Sequence, residues 1–172
     1  MASSPSTEVP DAPPQGETRL DTIAAQIGAI DTLIDLASER LLVFDRDLSD
    51  GGWSSIRRAE RLASFLRRSR GAQLSIIVHD PRHLEASCPR ITDLLKVYSH
   101  AMSVWRTGSE ARGATDALVI ADGRHSLHRY HVDQPRATLA IDMPAVAKPL
   151  VARFDEIWAT GQPALGGSVL GL

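Results

Sequence analysis

Two short, largely apolar runs constrain this chain more than any other feature: Leu41-Leu42-Val43-Phe44, and residues 74–79, which read Leu-Ser-Ile-Ile-Val-His. A strand with one wet face alternates apolar and polar residues. A run with few polar breaks suits a strand covered on both faces, as in a parallel sheet flanked by helices. Parallel neighbours need crossover connections, and the segments around both runs read as helices. Residues 21–40 carry Ile23, Ile27, Ile30, Ile34 and Ala37 at helical spacing, with Asp21 placed to cap the start. The first run stops at Asp45. Ser54 or Ser55 then caps a second helix that ends at Gly71, with Ile56, Ala59, Leu62, Ala63, Phe65 and Leu66 as its inner face. The second run closes at Asp80-Pro81, and Pro89 opens a third helix in which Ile91, Leu94, Leu95 and Tyr98 share a side.

The rhythm then changes. Residues 102–106, 117–121, 127–132 and 138–141 are four short strands separated by Gly, Asp and Pro turns. A closing helix places Val146, Leu150, Phe154, Ile157 and Trp158 on one side; Pro144 suits its first turn, and the regular helix is expected to begin at Pro149. The order α-β-α-β-α-β-β-β-β-α predicts one α/β domain whose mixed sheet starts as parallel crossovers and ends as a meander.

The chain has 172 residues, enough for one domain with a real core, and with 5% aromatics that core must rest on Leu, Ile, Val and Ala. A net charge of −2 provides no overall attraction for nucleic acid or an anionic membrane, so neither is an expected partner. Cys88 is the only cysteine, which excludes an internal disulfide and fits a reducing compartment. No stretch approaches the roughly 20 apolar residues of a membrane span, and the first residues lack a secretory pattern, so the expected location is cytoplasmic. Residues 1–19, rich in Pro, Ser and Thr, are expected to be a disordered tail, residues 20–161 the domain, and residues 162–172 a C-terminal tail.

The element order resembles one half of a phospholipase D-like domain. The likeness is carried by Thr115-Asp116-Ala117-Leu118-Val119-Ile120-Ala121-Asp122-Gly123, then two strands, then Asp142-Met143-Pro144 leading into Phe154-Asp155-Glu156-Ile157-Trp158. The resemblance implies a strand bearing His-x-Lys-x-x-x-x-Asp, in which His attacks phosphorus or acts as acid, Lys holds phosphate and Asp orients His. Asp122 matches the Asp. Thr115 stands at the His position and Ala117 at the Lys position, and the Gly, Ser and Asn of a later family segment are missing near residues 129–132. The chain is also similar to an uncharacterised bacterial family of such degenerate domains, sometimes fused behind acetyltransferase domains. What the resemblance implies is a catalytically silent binding, scaffold or regulatory module. It also implies a homodimer, because family members join two halves around one site. A vestigial cleft would then gather Asp45, Asp47, Asp80, Arg82, Arg106, Thr115, Ala117 and Asp122.

Two alternatives come from the residues. Asp45-Arg46-Asp47 after the first strand is similar to the first motif of haloacid-dehalogenase-like phosphotransferases, with Asp45 as nucleophile, Asp47 as general acid and Mg²⁺ between them. That family also needs a Ser or Thr after the second strand, a Lys and a later acidic pair; here the second strand ends in His79-Asp80, and Asp122 stands alone. The helix spanning residues 57–70 is rich in arginine, and Arg57, Arg61 and Arg68 can share an outer face as an anion or nucleic-acid patch; a solvated face is the plainer account, since no aromatics interleave. His125, His128 and His131 invite a metal, but on a strand His128 faces away from the other two. His79 and His83 lack zinc-site companions. No metal and no cofactor are expected. Cys88 before Pro89 reads as a structural thiol.

Overall fold

The computed structural model describes residues 13–165. Its elements are β1 (Gly16–Leu20), α1 (Ile23–Leu36), β2 (Arg40–Asp45), α2 (Ile56–Arg68), β3 (Gln73–Val78), α3 (Arg82–Ser87), α4 (Pro89–Val97), β4 (Met102–Arg106), a 3-10 turn (Ser109–Ala111), β5 (Ala117–Ala121), β6 (His125–Arg129), β7 (Ala137–Ile141), α5 (Pro144–Thr160) and β8 (Gln162–Leu165). The strands form one sheet in the order β1-β7-β6-β5-β2-β3-β4-β8. β2, β3 and β4 are parallel, with Val43 opposite Ile76 and Ile76 opposite Val104. β5 lies antiparallel to β2 and opens the β5-β6-β7 meander.

Side chains alternate across this sheet, which explains the largely apolar runs. Leu41 and Val43 pack with α1, α2 and α4 on one face, while Leu42 and Phe44 pack under Phe154 and Ile157 of α5 on the other. Both faces are dry, so neither register of the strand can be polar.

Several expectations are corrected. Gly16–Leu20 pairs with β7 and Gln162–Leu165 with β4, so the sheet extends past both expected domain limits. These are edge strands whose partners lie far away in sequence, and neither carries an apolar run that would mark it. The remainder of the expected tails, residues 1–12 and 166–172, lies outside the described residues. Thr22, not Asp21, caps α1: its hydroxyl accepts from the Ala25 N–H at 3.1 Å, while Asp21 pairs with Arg19. The helix ends at Leu36 instead of Arg40, and Arg68 donates to the carbonyls of Ile34, Asp35 and Ala37, supplying partners that the last turn lacks.

In α2 the buried residues are Arg58, Leu62, Phe65 and Leu66; Ile56, just after the Ser55 cap, is 54% exposed. β6 begins at His125 because Asp122 (φ 54°) and Gly123 (φ 65°) turn the chain back immediately after β5. α5 begins at Pro144 and carries Pro149 inside it, close enough to the start that only one early hydrogen bond is lost. Cys88 is buried at the junction of α3 and α4, and burial pushes its thiol up, consistent with an inert structural role.

Candidate functional site

β2, β3 and β4 end where β5 begins, so this edge of the sheet collects the loops after three strands. Ala117 opens β5, and cross-strand pairing places it directly opposite Arg129 of β6. Both point toward α1, as does Asp45 at the end of β2. Between them lies a cavity of about 20 Å³ lined by Gln26, Asp45, Asp50, Trp53, Ala117 and Arg129. That volume holds about one water molecule.

Arg129 is 7% exposed and fully engaged. Its Nε donates to the Gln134 carbonyl at 2.8 Å, Nη1 to Asp50 Oδ2 at 3.1 Å, and Nη2 to the Val132 carbonyl. Gln26, reaching over from α1, donates to the Pro135 carbonyl and ties down the same 130–136 loop. Asp45 is pushed up to about 6, chiefly by burial; the nearby Asp47 charge adds to this, while backbone N–H groups of Arg46 and Asp47 and the Arg129 charge oppose it. The sign of the linkage follows. An acid whose folded value lies above its unfolded one costs stability as pH rises from about 4 through about 6. Asp45→Asn is therefore expected to gain about 2 kcal/mol at about pH 7 and almost nothing near pH 4. Urea unfolding at the two pH values checks it; equal effects at both would refute the buried-acid account.

The opposite face of the same sheet end carries a second polar cluster. Asp116 is 6% exposed and accepts from Arg153 Nε at 2.8 Å and Nη2 at 2.6 Å, while His128 Nε2 lies 3.0 Å from its Oδ2. Burial alone would raise this carboxyl, but His128 and Arg153 outweigh it and hold Asp116 well below the usual carboxylate range. His79 sits nearby, with Nε2 2.6 Å from the Ala114 carbonyl and Nδ1 2.6 Å from Thr107 Oγ1. Because a carbonyl only accepts, Nε2 carries the proton, and the ring is clamped edge-on against Phe44.

The cleft expected from the sequence does not assemble as one site. Asp45, Thr115 and Ala117 share this end of the sheet. Asp47 folds back to accept from the Ser49 N–H and hydroxyl, which removes it from a concerted role with Asp45. Asp80 and Arg82 form a local surface pair that holds Asp80 at about 2, and Arg106 is exposed at the end of β4. Asp122 lies at the other end of β5. There it accepts from the N–H groups of Ser38, Glu39 and Arg40, each at 2.9 Å, and from the Ser38 hydroxyl. Five strand residues separate it from Thr115 and Asp116, roughly 17 Å of extended chain. The Asp that matched the motif therefore serves the α1–β2 connection.

The arginine face is also divided. Arg61 pairs with Asp31 and Asp35, Arg68 caps α1, and of the three Arg57 alone is exposed with neither an ion pair nor a side-chain hydrogen bond among the described residues. His125 accepts from the Asp142 N–H and His131 from the Asp133 N–H, while His128 turns to Asp116, so the three histidines serve three different places. Among the described residues no group of three His, Cys, Asp or Glu side chains is arranged to hold a metal ion. Sequence reasoning passed over Arg129, Arg153, Gln26 and Trp53. The one available signal was an arginine at an inward strand position, and its meaning depends on the strand beside it.

Residues 22–166 match the model of a family described as a domain of unknown function (DUF7931). No curated protein matches the chain. Solved structures do. TrmBL2, an archaeal chromatin protein described as showing a novel mode of DNA binding, aligns with TM-score 0.66 at 15% identity, over 92% of this chain and 56% of that one. This chain thus spans just over half of TrmBL2. Nuc from Salmonella typhimurium, a phospholipase D family member, aligns with TM-score 0.62 at 10% identity, over 88% of this chain and all of Nuc. NucT from Helicobacter pylori aligns with TM-score 0.60 at 10% identity over the same shares. Identities this low speak to fold alone, and the fold is phospholipase D-like.

Proposed function

Because this chain belongs to the DUF7931 family, whose description assigns no role, we propose its function from the site itself: a phospholipase D-fold module that binds, scaffolds or regulates as a homodimer, without cleaving phosphodiesters. One observation carries the reading. Where the fold's phosphate clamp would project, Ala117 presents a methyl group, and the guanidinium opposite it is already committed to two carbonyls and Asp50. A phosphodiester brought here would meet Asp45 and Asp50 in a space fit for one water, with no free cation among the described residues that line it.

The clustered imidazoles do not replace the missing nucleophile. His79 uses both ring nitrogens internally, and His128, its Nε2 against Asp116, projects from the opposite face of the sheet to Ala117. Nucleic acid stays outside the reading because Arg61 and Arg68 are engaged by α1; the DNA binding ascribed to TrmBL2 belongs to that protein.

The test is turnover of a chromogenic phosphodiester and of a labelled oligonucleotide by the purified chain, with and without divalent metal. No hydrolysis above buffer is expected. Thr115→His with Ala117→Lys is also expected to remain inactive, because the new lysine would enter a water-sized space beside Arg129, leaving the histidine exposed at the surface with no phosphate clamp beside it. Hydrolysis by the wild type that co-purifies through successive columns and disappears in His128→Ala would overturn the reading.

A further inference from the structure

We propose that the groove between α2 and α4 is the face through which two copies of this chain pair. The proposal rests on the homodimer reading above for the state of assembly, and places the contact away from the strand ends around which the resemblance would join two halves. Ile56, Val97 and Tyr130 are the exposed large apolar side chains among the described residues, and two of them, Ile56 (54%) and Val97 (69%), line this one groove. With Ala59, Ala63 and Leu94 they border an open, mostly apolar trough of about 310 Å³. Isolated exposed apolar residues need no explanation, whereas a shared patch built from two helices marks an interaction site.

The occupant follows from the shape and charge of the trough. β2, β3 and β4 are parallel, so α2 and α4, which run back against them, are parallel to each other; Arg67 Nη1 donating to Tyr98 Oη at 3.2 Å ties their C-terminal ends. Along α2 the groove residues are Ile56, Ala59, Glu60 and Ala63; along α4 they are Arg90, Asp93, Leu94 and Val97, with Asp93 paired to Lys96 of its own helix. Both sets follow the i, i+3, i+4, i+7 spacing at which helices pack side by side. The two alanines leave a shallow strip that a partner helix can approach closely.

Charge at the rim is self-complementary. Glu60 on α2 and Arg90 on α4 are exposed, and neither joins an ion pair among the described residues. A two-fold axis running along the groove lays α2 of one copy on α4 of the other, and sets Glu60 against the partner's Arg90 twice over. A two-fold interface requires one patch to be its own complement, and this one meets that condition. The strand-end edge is poorer for pairing, because Arg46–Asp133 and Arg82–Asp80 already neutralise each other within one chain.

Sedimentation equilibrium of the full chain tests the proposal. The wild type is expected to dimerise. Val97→Glu is expected to weaken the dimer at least about tenfold, since each interface would then bury two unpaired carboxylates. Glu60→Arg should also weaken it, and Glu60→Arg combined with Arg90→Glu should restore it, an outcome that a folding defect cannot mimic. Circular dichroism melts confirm that each variant is folded. A wild type that stays monomeric at submillimolar concentration overturns both this face and the homodimer. A dimer indifferent to Val97→Glu and to the charge reversals overturns this face alone. Phosphodiesterase assays on the same samples judge the non-catalytic reading separately.

Discussion

Trp53→Ala is expected to lower the unfolding free energy by about 4 kcal/mol, in the range for removing a large aromatic side chain from a core. The indole is 2% exposed, and its face lies 4.6 Å from the guanidinium carbon of Arg58. Arg58 is itself 1% exposed, and its Nη1 has no hydrogen-bond partner among the described residues. Asp31 satisfies Nε, the Ile27 carbonyl takes Nη2, and the indole face supplies the remaining electrostatic contact. Deleting the ring therefore leaves both a cavity and a buried cation facing a void. Gly51 shares this constraint: a Cβ there would sit 3.1 Å from the indole Nε1, and its φ of 86° suits glycine. Trp53→Phe keeps a ring over Arg58 and should cost much less, about 1.5 kcal/mol. Urea denaturation followed by far-ultraviolet circular dichroism measures both, and a loss near 1 kcal/mol for the alanine variant would show that the Arg58–Trp53 stack is not a stabilising contact.

The second large effect belongs to Asp122. Replacing it by alanine removes the acceptor for three backbone N–H groups at the start of β2 and strains a position with φ of 54°, for an expected loss of about 3 kcal/mol. Asparagine tolerates that backbone conformation and retains one oxygen, so Asp122→Asn should lose about half as much. The pH dependence separates this account from a generic packing defect. Burial would raise the Asp122 carboxyl, but the N–H groups of Arg40, Glu39 and Ser38 and the Ser38 hydroxyl hold it below its usual range. A depressed carboxyl contributes stability that is complete above its unfolded value of about 4 and is lost as pH falls through the folded one. The gap between wild type and Asp122→Asn should accordingly be constant above about pH 5 and shrink toward pH 2. A gap that stays the same across that window would assign the loss to geometry, not to charge.

Much of the fold is legible locally. The apolar runs in β2 and β3, the Ser55 cap and the Pro89 helix start each depend on neighbours within a few residues, where periodicity and backbone propensity act directly. The candidate site was only half legible. Thr115 and Ala117 reveal the missing nucleophile and clamp by identity alone. Asp122, grouped with them by motif spacing, proves to face the opposite end of its strand, because spacing along a chain does not say which end of a sheet a loop belongs to. Ile56 and Ala63 read as core by helical spacing, yet the face that α2 buries is Arg58, Leu62, Phe65 and Leu66, with Arg58 paired to Asp31 and stacked on Trp53, and Ile56 lies outside it.

By itself the sequence determined the elements from α1 to α5 apart from α3 and the 3-10 turn, the change from crossovers to meander, and the loss of imidazole and ammonium groups from the motif strand, since all of these are properties of residues or of short windows. Only the tertiary structure decided that β1 and β8 join the sheet, that Arg129 stands opposite Ala117, and that Asp122 serves residues more than eighty positions away. The physical reason is sheet register. Backbone hydrogen bonds between distant strands bring together side chains whose proximity no local pattern encodes, and the charge and burial of each site follow from that pairing.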